Sequence, residues 1–427
     1  MNNEFEYSSY ISNGNQDVIV DALLASIKLE NASAAIWSLP SCEGFNIIVD
    51  LSPPDEESGF DLTVNKDCGF IVNPFFGQRK NFSWIRPGVE FIFKEDAKVG
   101  YEIRWNDGLD ENRKKQFSDA FEYCLSKRIN QRHTQSLSCD QWSLDQRQEK
   151  KNFLHAVEEA IARIRQPTDI LAKVVVARKR YVSLPTPIPW SLIFRALKHI
   201  YPRTLVSLTS TPRFGTWLGA SPEILLSVNE KSIATTDSLA GTRKKNIRKK
   251  REYQGQDSIW RNKERYEQSL VTVFITQALA ASGITVYEKT GPVTCNMGDL
   301  IHLREIFRFD LDCLENRIAS LENLIYELHP TSAVCGLPKQ PALEFISKKE
   351  KLNRTLYAGF LGPVNFHNAL YLYVNIRCMQ LLTDGALIYA GAGITADSDP
   401  LAEWEETEAK CSILSVIFSD KSLEESQ

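Results

Sequence analysis

Asp169-Ile-Leu-Ala-Lys-Val-Val-Val-Ala-Arg178 is a short apolar run with one lysine at its centre. As a strand of period two it places Lys173 on one face with Leu171, Val175 and Ala177, and sets Ile170, Ala172, Val174 and Val176 on the other. An ammonium buried there without a partner would favour its neutral form, moving down from about 10.4 towards the range of a general base. The plainer reading is an edge-strand lysine whose stem lies on the sheet while its head reaches water. The run alone supports both.

Upstream, Phe153, Leu154, Val157, Ile161 and Ile164 mark an amphipathic helix that Pro167 closes just before the lysine strand. Downstream, the patterns predict helices over 190–199, 254–282, 314–327 and 400–417, and strands at 205–208, 217–219, 223–228, 369–381 and 386–390. The earlier part reads as a helix over 16–30, strands within 34–51, 68–76, 91–94 and 101–105, and a helix over 111–128. The polar, Gln-rich stretch 130–149 has no period and reads as a linker. Helices and strands mix without strict alternation and the strands look paired in sequence. The expected class is therefore α+β rather than a doubly wound parallel sheet.

A chain of 427 residues can hold one large or two ordinary domains, and 43% hydrophobic with 24% charged residues is ordinary globular composition. A net charge of −4 gives no field that recruits nucleic acid or an anionic membrane, so neither is an expected partner. A small anionic substrate must instead be held by a few local cations. The nine cysteines are scattered without a CxxC pair, which argues against a zinc site or a disulfide framework and for a reducing compartment. With no signal segment and no apolar run of about eighteen residues, the expected location is the cytoplasm.

Two helices carry paired carboxylates. Glu264 and Glu267 share a face with Gln268 and Val271, and Glu403 and Glu406 share one with Lys410 on a helix marked by Asp399 as N-cap and Pro400 at its first position. One strong ligand from each helix would suit Mg2+, whereas solvated faces and the helix dipole are the alternative explanation. The stretch Ala390-Gly-Ala-Gly-Ile-Thr-Ala396 has the form G-x-G-x-x-A, but only one helix follows it, which argues against a dinucleotide fingerprint. It reads instead as a loop whose Gly391 and Gly393 let backbone N–H groups approach a small carboxylate. Alternation over Leu370–Arg377 puts Tyr371, Tyr373, Asn375 and Arg377 on one strand face, where Arg377 could clamp that carboxylate or form a surface ion pair. Glu223, in Gly219-Ala-Ser-Pro-Glu223, stands at the start of an apolar strand, where desolvation would keep it protonated. The basic run Arg243–Arg251 lacks interleaved aromatics and reads as a solvated loop.

Lys173 in KVVVAR, Glu223 in GASPE, Ala240-Gly-Thr242, Glu267, Leu328-His-Pro-Thr-Ser-Ala-Val-Cys-Gly336, Glu350-x3-Arg354-x2-Tyr-Ala-Gly359, Arg377, and AGAGIT followed by SDPLAEWEETEAK closely resemble the chorismate-utilising enzymes. Within that family the isochorismate synthase branch is the most similar. The match is strong over 150–420. It is weak over 1–149, a strand-rich part expected to pack into the same fold, and 421–427 is expected to be a disordered tail. The resemblance implies large, mainly antiparallel sheets flanked by helices, as in anthranilate synthase component I. It also implies that Lys173 activates the water attacking C2 of chorismate while Glu223 protonates the departing C4 hydroxyl. Mg2+ would be held by Glu267 and by Glu403 or Glu406, with Glu264 acting through water. Arg377, Gly391, Gly393 and Lys410 would meet the substrate carboxylates, and His329 and Thr242 would line the ring.

Amine-forming relatives carry glutamine in place of Lys173, or a nucleophilic lysine in place of Ala240. Neither ammonia chemistry nor a glutamine amidotransferase subunit is therefore expected, and the chain is expected to be a monomer or weak dimer. Salicylate synthases share the lysine and go on to eliminate pyruvate, so stopping at isochorismate and continuing both stay open. Two departures from the family pattern also leave room for an inactive chorismate-binding relative: Gln268 stands where a histidine is usual, and Glu305 where threonine is more frequent.

Overall fold

The apolar run begins a strand at the lysine itself, Lys173–Ser183, and that strand lies near one end of an eleven-stranded antiparallel sheet. The computed structural model describes residues 5–10, 16–52, 68–77, 82–93, 101–127, 146–183, 189–244, 260, 262–297, 300–382 and 385–415. The side chains of a few residues inside these elements, Thr242 and Glu267 among them, lie outside that description.

With strands numbered in chain order, the large sheet runs β1 (Phe5–Tyr10), β7 (Tyr101–Asn106), β6 (Val89–Phe93), β3 (Asn46–Asp50), β2 (Ser33–Ser38), β9 (Leu205–Thr211), β10 (Gly215–Ser221), β18 (Cys378–Leu381), β19 (Gly385–Ile394), β8 (Lys173–Ser183) and β15 (Gly336–Leu337). The small sheet runs β13 (Glu288–Met297), β14 (Leu300–Asp310), β12 (Ile233–Lys244), β11 (Ile224–Val228), β17 (Ala369–Val374), β16 (Phe360–Phe366), β4 (Gly69–Asn73) and β5 (Ser83–Ile85). Early and late strands share both sheets: β2 pairs with β9, and β4 with β16. This is the α+β class with large antiparallel sheets, and hydrophobic burial explains it. One core joins Trp37, Trp217 and Tyr389 of the large sheet to Phe70, Leu226 and Leu372 of the small one.

Helices cover the outer faces. Of these, α1 (Gln16–Leu29), α2 (Glu111–Ser126) and α4 (Trp190–Ile200) enclose a second core with Ile36, Leu208, Leu218 and Ile388. Near the lysine strand, α3 (Gln146–Ile164) and α8 (Pro400–Ser415) pack on β8 and β19, with Arg178 held by Thr407 and Glu408 and lying 4.0 Å over the Trp404 ring. The small sheet carries α5 (Asn262–Ala281) and α6 (Arg317–Leu328), and α7 (Lys339–Lys349) packs on β8 and β15.

Several sequence expectations shift here. The linker ends earlier than 149, because α3 starts at Gln146, and its part over 130–145 lies outside the described residues. The basic run begins at the end of β12, and 245–251 also lies outside them. Arg377 is not on a strand face: β17 ends at Val374 and Arg377 sits in the turn to β18 with φ +48°. The stretch 390–396 is not a loop, since Ala390–Ile394 completes β19. Its alternating small residues fit a strand squeezed between a helix layer and the site.

Candidate active site

Lys173 is flanked on both sides. Leu337 of β15 pairs with it, and β19 runs along the other edge with Ile394 opposite Val174 and Gly393 opposite Val175. The edge-strand reading is thereby corrected: the short β15 covers β8 at the lysine, which is only 8% exposed. The glycines supply the room. A Cβ on Gly393 would stand 3.0 Å from Lys173 Cε, and one on Gly391 would stand 2.9 Å from the Tyr357 hydroxyl. These glycines therefore open space beside the lysine, and their backbone N–H and C=O groups point away from β8, because the opposite Val175 and Ala177 N–H groups bond to Cys335 and Glu350 while the Gly391 carbonyl accepts from Lys410.

Glu223 lies where the chain crosses from β10 of the large sheet to β11 of the small one. Its backbone is fixed by Val374 N–H donating to its carbonyl at 3.0 Å, and its carboxyl accepts from Thr331 Oγ1 at 3.2 Å. Burial pushes this carboxyl up to about 7 and the charge of Asp237 adds to that, while the Thr331 hydrogen bond and the Lys173 charge oppose it. Lys173 and Glu223, fifty residues apart and on different elements, thus interact across one space.

His329 ends α6 and is buried, with Nε2 at 3.2 Å from both the Pro74 and Phe75 carbonyls and its ring edge-on to Phe360. Two acceptors fix the proton on Nε2 and leave Nδ1 as the face for a ligand. Burial, aided by the Lys339 charge, pushes the ring down to about 3, so it stays neutral near pH 7.

The remaining residues singled out from the sequence are placed as follows. Arg377 is half-buried, and desolvation lowers its usual value while Tyr201 opposes that. Lys410 donates to the Gly391 carbonyl at 2.8 Å and pairs with Glu406 at 2.7 Å, so these two residues hold each other on α8. Glu403 is buried one turn earlier on the same helix. Glu264 is half-buried in the first turn of α5, Glu267 lies on that helix, and Thr242 stands opposite His302 on β12. Among the described residues, no three acidic, histidine or cysteine side chains converge closely enough to hold a metal. The acidic faces of α5 and α8 nonetheless carry the hard oxygen donors that Mg2+ takes.

The structure also brings in residues the sequence reading gave no role. Arg354, fully buried, forms a two-pronged pair with Glu350 at 2.7 Å, donates to the carbonyls of Val175 and Val334, and lies over the Phe75 ring. Glu350 in turn accepts from Ala177 N–H at 2.9 Å. Asp237 is buried and bound to Arg304 Nε at 2.7 Å. Its signal was hidden, because Thr235-Thr-Asp-Ser238 reads as a polar surface strand although residues 236–238 are all buried. The two departures, Gln268 and Glu305, touch: Gln268 Nε2 reaches Glu305 at 3.5 Å, Thr272 donates to the same carboxylate and Lys289 pairs with it at 3.4 Å. The extra charge of Glu305 is therefore compensated by its own neighbours.

The two antiparallel sheets with their flanking helices match known architectures. The menaquinone-specific isochorismate synthase MenF of Escherichia coli superposes with a TM-score of 0.70 at 20% identity, covering 97% of this chain and 94% of that one. Anthranilate synthase component I of Streptococcus pneumoniae gives 0.59 at 19%, covering 90% and 92%. These likenesses show the fold. The chain belongs to the chorismate binding enzyme family, which it matches over residues 101–418. It is 29% identical over 269 residues to isochorismate synthase DhbC of Bacillus subtilis, covering 61% of this chain and 66% of that protein. With isochorismate synthase EntC of E. coli it shares 30% over 204 residues, 48% and 51% of the two chains. The aligned parts thus span about half to two thirds of these relatives. No described helix is long and apolar enough to cross a membrane.

Proposed function

We propose that the protein is an isochorismate synthase, converting chorismate to isochorismate. The observation that carries this reading is the Lys173 and Glu223 pair: a buried lysine and a buried carboxyl raised to about 7, close enough to interact electrostatically. Lys173, acting as the neutral amine, takes a proton from water as the water oxygen bonds to C2, a ring double bond shifts, and the C4–O bond breaks as Glu223 gives its proton to the departing hydroxyl. One water enters and one leaves, so the reaction is an isomerisation. His329, neutral and fixed through Nε2, orients the ring, and Thr242 lines it. Arg377 and Lys410 bind the carboxylates in the space that Gly391 and Gly393 open, which requires Lys410 to exchange Glu406 for the substrate.

Mg2+ fits the donor chemistry of Glu267 with Glu403 or Glu406, and of Glu264 through water, and it would neutralise the ring carboxylate. No glutamine amidotransferase subunit is needed, because Lys173 selects water as the nucleophile. The reading extends to a cytoplasmic enzyme, monomeric or weakly dimeric, and to a role in menaquinone or catecholate siderophore synthesis; for the pathway alone, its structural neighbours include a menaquinone-specific and a 2,3-dihydroxybenzoate-specific isochorismate synthase.

The test is purified protein with chorismate and Mg2+, with products separated by chromatography. Isochorismate is expected; salicylate plus pyruvate would select the elimination chemistry instead, and bound but unchanged chorismate an inactive relative. Lys173→Ala should abolish turnover while chorismate affinity measured by calorimetry is kept, because a general base acts in the transition state. Full turnover in that variant would overturn its role.

A further inference from the structure

The chain holds a second buried carboxylate beside the acid. Asp237 of β12 and Glu223, which precedes β11, line the same cavity, closed by Thr331 and Leu328 at the end of α6 and by Phe274 of α5. The Asp237 side chain is 1% exposed, and its Oδ2 is tied to Arg304 of β14. Its Oδ1 is buried with no hydrogen-bond partner among the described residues. An acceptor left without a donor in a dry site costs free energy, and a carboxylate's open lone pair beside a carboxylic acid favours the acid keeping its proton.

We propose that Asp237, kept ionised by Arg304, is a positioning residue that holds the proton on Glu223 so that the acid stands charged with its proton before substrate arrives. This rests on Glu223 being the acid. The groups facing the pair are few. Glu223 meets Thr331 from the segment after α6, Lys173 from β8 and Asp237 from β12; Asp237 meets Arg304 from β14 and Tyr373 from β17. Burial raises both carboxyls, so the pair sheds its protons in coupled steps, and the Arg304 guanidinium on Asp237, against only the Thr331 hydroxyl on Glu223, favours the charge on Asp237 and the proton on Glu223. The two carboxylates thus divide the work: one carries a fixed charge and the other the transferable proton.

The experiment is the pH dependence of kcat, read together with infrared spectra of the substrate-free protein, in which the carboxylic C=O band missing from Glu223→Gln identifies the acid. Asp237→Asn keeps shape but removes the charge; the alkaline limb of kcat and the titration of the Glu223 band should both move down by about one pH unit. Arg304→Gln should move both down as well, because the buried Asp237 without its cation takes up a proton and its charge no longer bears on Glu223, and Arg304→Lys should leave both in place. A structural role for Asp237 would lower kcat without moving either titration, and that result overturns the proposal. If Asp237→Asn does not fold, the downward shift in Arg304→Gln against Arg304→Lys decides alone, and no shift there also overturns it. Should Glu223→Gln retain turnover, the acid assignment fails, while the infrared titration still reports whether Asp237 governs the Glu223 proton.

Discussion

Removing Arg354 should separate stability from chemistry in a way the structure allows to be worked out. In Arg354→Met the stem packing is kept, but Glu350, whose side chain is 4% exposed, loses both of its guanidinium bonds and becomes a buried carboxylate without its cation. Breaking such a pair by removing one partner costs about 3–5 kcal/mol. At about 2.1 cal/mol/K per residue, the 427-residue chain has an unfolding entropy of about 0.9 kcal/mol/K, which turns that loss into a fall in Tm of about 3–6 °C. The double variant Arg354→Met with Glu350→Leu removes the stranded charge and should recover most of the loss. Catalysis should not recover with it, because the bonds to Val175 and Val334 carbonyls that steady the Lys173 strand remain absent. Differential scanning calorimetry and steady-state kinetics of both variants provide the comparison. A single variant within about 1 kcal/mol of the parent, or a double variant that regains full kcat, would refute the reasoning.

Gly393→Ala should lower kcat at least about tenfold with little change in Tm, since the new methyl presses on Lys173 Cε from 3.0 Å; undiminished turnover would show that the lysine has slack. His329→Gln retains a donor for the Pro74 and Phe75 carbonyls, and because the parent ring is pushed down to about 3, the kcat profile between about pH 5 and 8 should keep its shape. Loss of an inflection in that range would contradict a neutral ring. Far from the site, Asp21 is buried against Ser191 N–H and near Asp17, and burial pushes it up to about 7. A raised carboxyl contributes stability below its unfolded value of about 3.9 and loses it as pH rises through about 7, so Asp21→Asn should gain about 1–3 kcal/mol at pH 8 and nothing at pH 4. Urea unfolding at the two pH values measures it, and an equal effect at both would count against the buried charge.

The period-two run around Lys173 and the Asp399-Pro400 start of α8 were legible because each rests on local rules: alternation, capping and the fixed φ of proline. Gly391 and Gly393 were misread because glycine pairs signal loops, whereas here the absent side chains are a packing requirement set by Lys173 and Tyr357, which lie far off in sequence. Arg377 was placed on a strand because alternation continues through Asn375, and nothing local announces the left-handed residue that ends it. Asp237 escaped notice for the opposite reason. A polar strand segment looks solvated until helices α5 and α6 are laid over it, and only tertiary packing does that.

The segment after α6 does two jobs within a few residues. Thr331 gives Glu223 its hydrogen bond, and Leu337 pairs with Lys173, while Arg354 grips the Val334 carbonyl midway between them. Acid and base are therefore set by one short rigid bracket rather than by two independent supports. A displacement of that bracket moves proton donor and proton acceptor as a unit, preserving their mutual alignment while shifting both against the substrate. Substitutions there should lower the height of the kcat pH profile while leaving its shape, because neither proton donor nor proton acceptor is displaced relative to the other.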